Sequence, residues 1–229
     1  MTALVPPPRS APGGPLSVRC LSRREDGEEL HALVWSPGPG HRMISNAVLG
    51  GGIGERAWVL NAQVAHGYRR TDPDRHLAEL ATGLGLRSAG VGLMTAADVS
   101  AYGRARDGGV EAVVTAGVNV RGWAASDAAG TAAPVAPGTI NIVVALPVPL
   151  TDAALVNAVA TATEAKVQAL LDAGLDCSGT PTDAVCVAAP VPGTPGTETQ
   201  QFAGPRSLWG ARLARAVHGA VRTALPPVG

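Results

Sequence analysis

The run INIVVALPV at 140–148 is apolar but for Asn141 and rich in β-branched residues, the pattern of a strand buried on both faces. Such a strand needs layers above and below it, and the rest of the chain offers candidates for both. At 72–86 Leu77, Leu80, Ala81 and Leu84 recur at helical spacing between an Asp-Pro opening and Gly85. At 152–173 Leu155, Val159, Val167, Leu170 and Leu171 form a second helical stripe, and 207–225 reads as a last helix. Strands are expected at 30–36, 42–49, 57–65, 90–95, 110–118 and 183–189.

Between 42–49 and 57–65 the Gly-rich GGGIG at 50–54 permits hairpin-like pairing, while a short helix at 96–106 makes 90–118 a strand-helix-strand unit, compatible with a parallel, right-handed crossover. Locally paired strands early and alternating elements late predict an α/β or α+β fold, a mixed sheet covered by helices. One domain is expected at 30–229, behind a flexible N-terminal segment at 1–29 whose prolines at 6–8 cannot join a helix or a central strand.

Several function classes are disfavoured. The 18 basic residues balance the 18 acidic ones, so no net field collects a polyanion, and nucleic acid is not an expected partner. No apolar run has membrane-spanning length and no signal-like start is visible, so a cytoplasmic protein away from membranes is expected. Cys20, Cys177 and Cys186 form no CxxC pair, and the five histidines show no HxH or HExxH spacing, so neither a disulfide framework nor a bound metal is expected. GxSxG, GxxxxGK[ST] and dinucleotide-binding patterns are absent. A small-molecule substrate remains, with a homo-oligomer left open.

Several constellations bear chemistry. Gly179-Thr180-Pro181-Thr182-Asp183 delivers two hydroxyls and a carboxylate to the start of an apolar strand; burial there would suit Asp183 to act as a base, whereas a self-bonded turn is the plainer reading. On the 152–173 helix Asn157, Thr161 and Glu164 share a face whose short polar residues suggest a pocket wall, or an ordinary solvated stripe. Thr115 and Asn119 follow an apolar run at a strand end, a common ligand position in α/β folds. His66 lies beside a strand and a turn, placed for proton transfer. Gly51 and Gly52 could present bare backbone N–H groups to a ligand or simply form a tight turn.

In order, AVLGGGI, VGLMTAADV, VTAGV, GTINIVVAL, NAVATATEAKVQALLDAG, GTPTDAVCV and FAGPRSLWGARLARAV resemble the adenosylcobinamide amidohydrolase family over nearly all the chain after residue 30. The resemblance implies hydrolysis of the amide between a corrinoid ring acid and its aminopropanol arm, yielding adenosylcobyric acid in corrinoid salvage. No cofactor is then required, and cobalt enters only as part of the corrinoid substrate. It implies a site lined by Asn141, Glu164, Lys166, Gly179, Thr180, Thr182, Asp183 and Gly204. In the mechanism expected from these, Asp183 or Glu164 activates water or a Thr hydroxyl, Asn141 or backbone N–H groups hold the oxyanion, and Lys166 or His66 assists the leaving amine. Gly50 stands where the family pattern has Asn, and Pro181 where it has Gly. These departures leave two alternatives, a different small-molecule amide or a non-catalytic corrinoid or small-ligand binder.

Overall fold

The structure is a computed structural model that describes residues 16–126 and 138–226. The chain runs β1 (Arg19–Glu25), β2 (Glu28–Trp35), β3 (His41–Ser45), β4 (Gly52–Glu55), β5 (Val59–Gln63), α1 (Pro73–Gly83) and β6 (Val91–Thr95). It continues through β7 (Gly103–Asp107), β8 (Val110–Gly117), β9 (Thr139–Ala145), α2 (Asp152–Asp172), β10 (Ala184–Pro190) and α3 (Leu208–Ala224). The strands form two mixed sheets, one ordered β1-β2-β5-β6 and the other β4-β3-β10-β9-β8-β7. Parallel pairing occurs at β5–β6 and β9–β10, where α1 and α2 supply the crossovers that parallel neighbours require.

The period-2 alternation of strand side chains explains the layering. From the larger sheet Val113, Val143, Ala145, Cys186 and Ala188 pack against Leu33, Trp35, Val59, Val91 and Leu93 of the smaller one. The alternate residues Ala112, Val114, Ile142, Val144 and Val187 pack on α2 and α3, where Ala158, Ala162, Ala169 and Ala216 let the helices approach closely. Beyond the smaller sheet, Ala32, Val34, Leu60 and Ala62 meet Leu77 and Ala81 of α1. The order is therefore α1, small sheet, large sheet, then α2 with α3. Every residue of β9 is buried, as its sequence requires.

The structure corrects four expectations. Instead of a helix at 96–106 there is a 3-10 turn, Val99–Ala101, followed by edge strand β7, which Gly108 and Gly109 (φ 50° and 94°) turn back onto β8. Strands β6 and β8 lie in different sheets, so no strand-helix-strand unit forms. The Gly-rich segment is itself strand β4, paired with β3, while β5 leaves for the other sheet. The domain also begins before residue 30. Asp26 and Gly27 (φ 50° and 87°) close the β1–β2 hairpin, and Leu16 is fully buried, its N–H donating to Glu111 and its carbonyl accepting from Arg104. The rest of the segment expected to be flexible, 1–15, lies outside the described residues. No described helix is long and apolar enough to cross a membrane.

Candidate active site

At one end of the sandwich the two sheets part to leave a cleft of about 900 Å³. One wall comes from His66 and Tyr68 after β5 and from Met94 and Thr95 at the end of β6; the other comes from Asn46 to Val48 after β3 and from Pro181 to Ala184 leading into β10. Thr139 and Asn141 of β9 also line it.

Asp183 is the anchor of the 179–183 turn. Its Oδ1 accepts from Ile140 N–H (2.9 Å) and Thr180 Oγ1 (2.5 Å); its Oδ2 accepts from Lys166 Nζ (2.5 Å) and Thr180 N–H (3.2 Å). A carboxylate has about four acceptor positions, so this one has little left for a water. The Lys166 side chain is 8% exposed and reaches Asp183 from α2. A Cβ on Gly179 would lie 2.2 Å from Asp183 Oδ2 and 2.5 Å from Lys166 Nζ, so glycine is what lets the pair close. From β3, the Asn46 side chain donates to Asp183 carbonyl (3.0 Å) and accepts from Val185 N–H (2.8 Å), extending the ladder past the strand end.

This turn holds Thr182 at the cleft, where its Oγ1 donates to Gly138 carbonyl (3.0 Å) and lies 2.5 Å from Thr139 Oγ1. With the Thr182 proton directed to that carbonyl, Thr139 is the donor between the two hydroxyls. Deeper in, Asn141 and Asn61 bridge the two sheets. Asn141 Nδ2 donates to Asn61 Oδ1 (2.8 Å) and Met94 carbonyl (3.1 Å), and Asn61 Nδ2 donates to Thr115 Oγ1 (2.9 Å). His66 is exposed on the cleft wall. The Tyr68 ring stacks on His76, which bonds the Tyr68 hydroxyl through Nδ1 (3.1 Å) and approaches Glu25 through Nε2 (3.2 Å).

His66, Asn141, Thr182 and Asp183 thus come together in the cleft, with Gly179, Thr180 and Lys166 behind Asp183, and Thr115 buried behind Asn61. Five expected residues fall elsewhere. Glu164 is exposed; two residues from Lys166 on a helix is about 200° of rotation, so it cannot share the Asp183 contact. Asn119 is exposed beyond the end of β8. Gly51 packs against Ala47 carbonyl and Gly52 starts β4, both outside the cleft lining. Gly204 sits against Asn157, and that face of α2 is a loop anchor rather than a pocket wall: Asn157 accepts from Ala203 N–H (3.3 Å) and Thr161 donates to Ala203 carbonyl (2.8 Å). The oxyanion role for Asn141 is also lost, since both Nδ2 hydrogens are engaged. Reading the sequence missed Asn46, Asn61, Tyr68 and Thr139. For Asn61 a signal existed: an amide inside the apolar run WVLNAQVA marks a core position that needs partners.

Gly50 has φ 69°, and a Cβ there would lie 1.9 Å from Gly90 carbonyl, so this departure from the family pattern is a packing necessity outside the cleft. Pro181 does line the cleft. Among the described residues no group of three or more His, Cys, Asp or Glu side chains could hold a metal ion.

Fold and site together define a mixed α/β, single-domain protein with a small-molecule-sized cleft between stacked sheets, its apolar lining set with a few polar side chains. The family model described as adenosylcobinamide amidohydrolase matches residues 18–227, and the chain belongs to that family, a group of enzymes that hydrolyse a non-peptide amide. It is 32% identical over 182 residues to the adenosylcobinamide amidohydrolase of Methanosarcina mazei, covering 77% of this chain and 86% of that one. It is 41% identical over 125 residues to the protein of the same name from Halobacterium salinarum, covering 53% of this chain and 52% of that one.

Proposed function

We propose that this protein hydrolyses the amide joining the corrinoid ring acid of adenosylcobinamide to its aminopropanol arm, giving adenosylcobyric acid and the free amine. The observation that carries this reading is convergence. Segments far apart in sequence, GTIN at 138–141, TATEAK at 161–166 and GTPTD at 179–183, meet around one cleft through Thr139, Asn141, Lys166, Thr182 and Asp183.

Water adds across the C–N bond, its oxygen going to the carbonyl carbon and a proton to the departing nitrogen. In this reading the Thr139–Thr182 hydroxyl pair meets the scissile carbonyl, with Thr182 as the attacking or orienting group, and His66 moves the proton. Asp183 and Lys166 position the turn that carries Thr182. Cobalt stays with the substrate, and no step passes through it. Incubating the purified protein with adenosylcobinamide and resolving the products by mass tests the proposal. Adenosylcobyric acid with free aminopropanol supports it; unchanged ligand overturns it.

A further inference from the structure

Asn141 is 1% exposed, and its amide orientation is fixed by chemistry. Met94 carbonyl can only accept, so the Asn141 atom 3.1 Å from it is Nδ2. The other Nδ2 hydrogen goes to Asn61 Oδ1, which turns the Asn61 Nδ2 toward Thr115. Both donors of Asn141 are therefore consumed within the protein, and its Oδ1 is left buried without a partner. Buried polar atoms are nearly always satisfied, so an orphan acceptor on a residue that lines the cleft marks where a ligand donor belongs.

We propose that Asn141 Oδ1 accepts the N–H of the substrate's scissile amide, making Asn141 the residue that reads an amide rather than an ester linkage. The inference rests on the amide-hydrolysis reading above and adds to it a basis for linkage specificity. Thr139 and Asn141 are two apart on β9 and so share a face of the strand, which sets the Thr139–Thr182 hydroxyls and the amide acceptor side by side. A secondary amide offers a matching pair, a carbonyl carbon for the Thr182 oxygen to meet and an N–H for Asn141. When the C–N bond breaks, the nitrogen gains a proton and remains a donor to the same oxygen. An ester presents an oxygen there, and two acceptors face each other.

The test compares kcat/KM for adenosylcobinamide with that for its ester analogue, oxygen replacing the amide N–H, in wild-type protein and in Asn141→Ala. Dividing the wild-type amide-to-ester ratio by the variant's cancels the intrinsic reactivities of the two linkages. The expected quotient is ~10 or more, the loss of one buried hydrogen bond. A quotient near one, both linkages slowed alike, overturns the assignment and leaves Asn141 a structural residue. Should Asn141→Ala not fold, Asn141→Ser supplies the same comparison with a smaller polar side chain. If wild-type protein turns over neither compound, the substrate reading falls and takes this assignment with it.

Discussion

Lys166 Nζ lies 2.5 Å from Asp183 Oδ2, joining the middle of α2 to the residue before β10. Both side chains are largely buried, at 8% and 13% exposure, so neither charge has water to fall back on. Lys166→Met should therefore cost about 3 kcal/mol in urea unfolding, the penalty of leaving a buried carboxylate short of its partner. Turnover should fall with it, because the turn carrying Thr182 loses its tether. A variant as stable as wild type would show that the pair is not an anchor.

Gly179→Ala tests the same joint sterically. With its Cβ 2.2 Å from Asp183 Oδ2 and 2.5 Å from Lys166 Nζ, the ion pair has to open. The expected loss is about 2–3 kcal/mol, readable as a lowered urea midpoint. An unchanged midpoint would mean that the turn has room the structure does not show.

Thr182→Ala should lower kcat about a hundredfold or more while the fold is kept, and Thr182→Ser should retain most of the activity. Full turnover in the Ala variant would remove the hydroxyl from the mechanism.

Glu164→Ala should leave turnover unchanged and shift stability by no more than about 0.5 kcal/mol, as for other exposed positions without partners of consequence. A large fall in kcat would return Glu164 to the chemistry.

The buried strand expected at 140–148 and found at Thr139–Ala145, and the three long helices, were legible in the sequence because apolar periodicity is a local signal, whereas the grouping of GTIN, TATEAK and GTPTD came only from the family resemblance. The hairpin β1–β2 was not: four of the seven residues in RCLSRRE are charged, and β1 fell inside the segment expected to be flexible. Edge strand β7, GRARD, was hidden for the same reason, since an edge strand keeps its polar residues. Within the site, Asp183 was visible but its engagement was not. Whether a carboxylate is a base or an anchor depends on which donors reach it, and Ile140 arrives from β9, Lys166 from α2 and Thr180 from the turn itself. The same holds for Asn141, whose free atom is decided by a carbonyl on the opposite sheet.

Burial holds the imidazoles of His41 and His76 below their ordinary 6.5; for His76, Arg70 and Arg23 add to the effect. Between the lowered folded value and 6.5 the unfolded chain binds a proton that the folded chain does not, so stability rises with pH through that window and levels off above it. Urea midpoints should accordingly be lower at pH 5 than at pH 7.5, and the difference should shrink in His76→Gln. A midpoint that is flat, or higher at pH 5, would contradict this.

The most direct test of the account is a crystal structure of the protein with adenosylcobinamide bound, trapped before turnover. The scissile amide should lie in the inter-sheet cleft, its carbonyl carbon facing Thr182 Oγ1 and its N–H on Asn141 Oδ1. Substrate bound away from that cleft, or with its amide turned from Thr182 and Asn141, would contradict it.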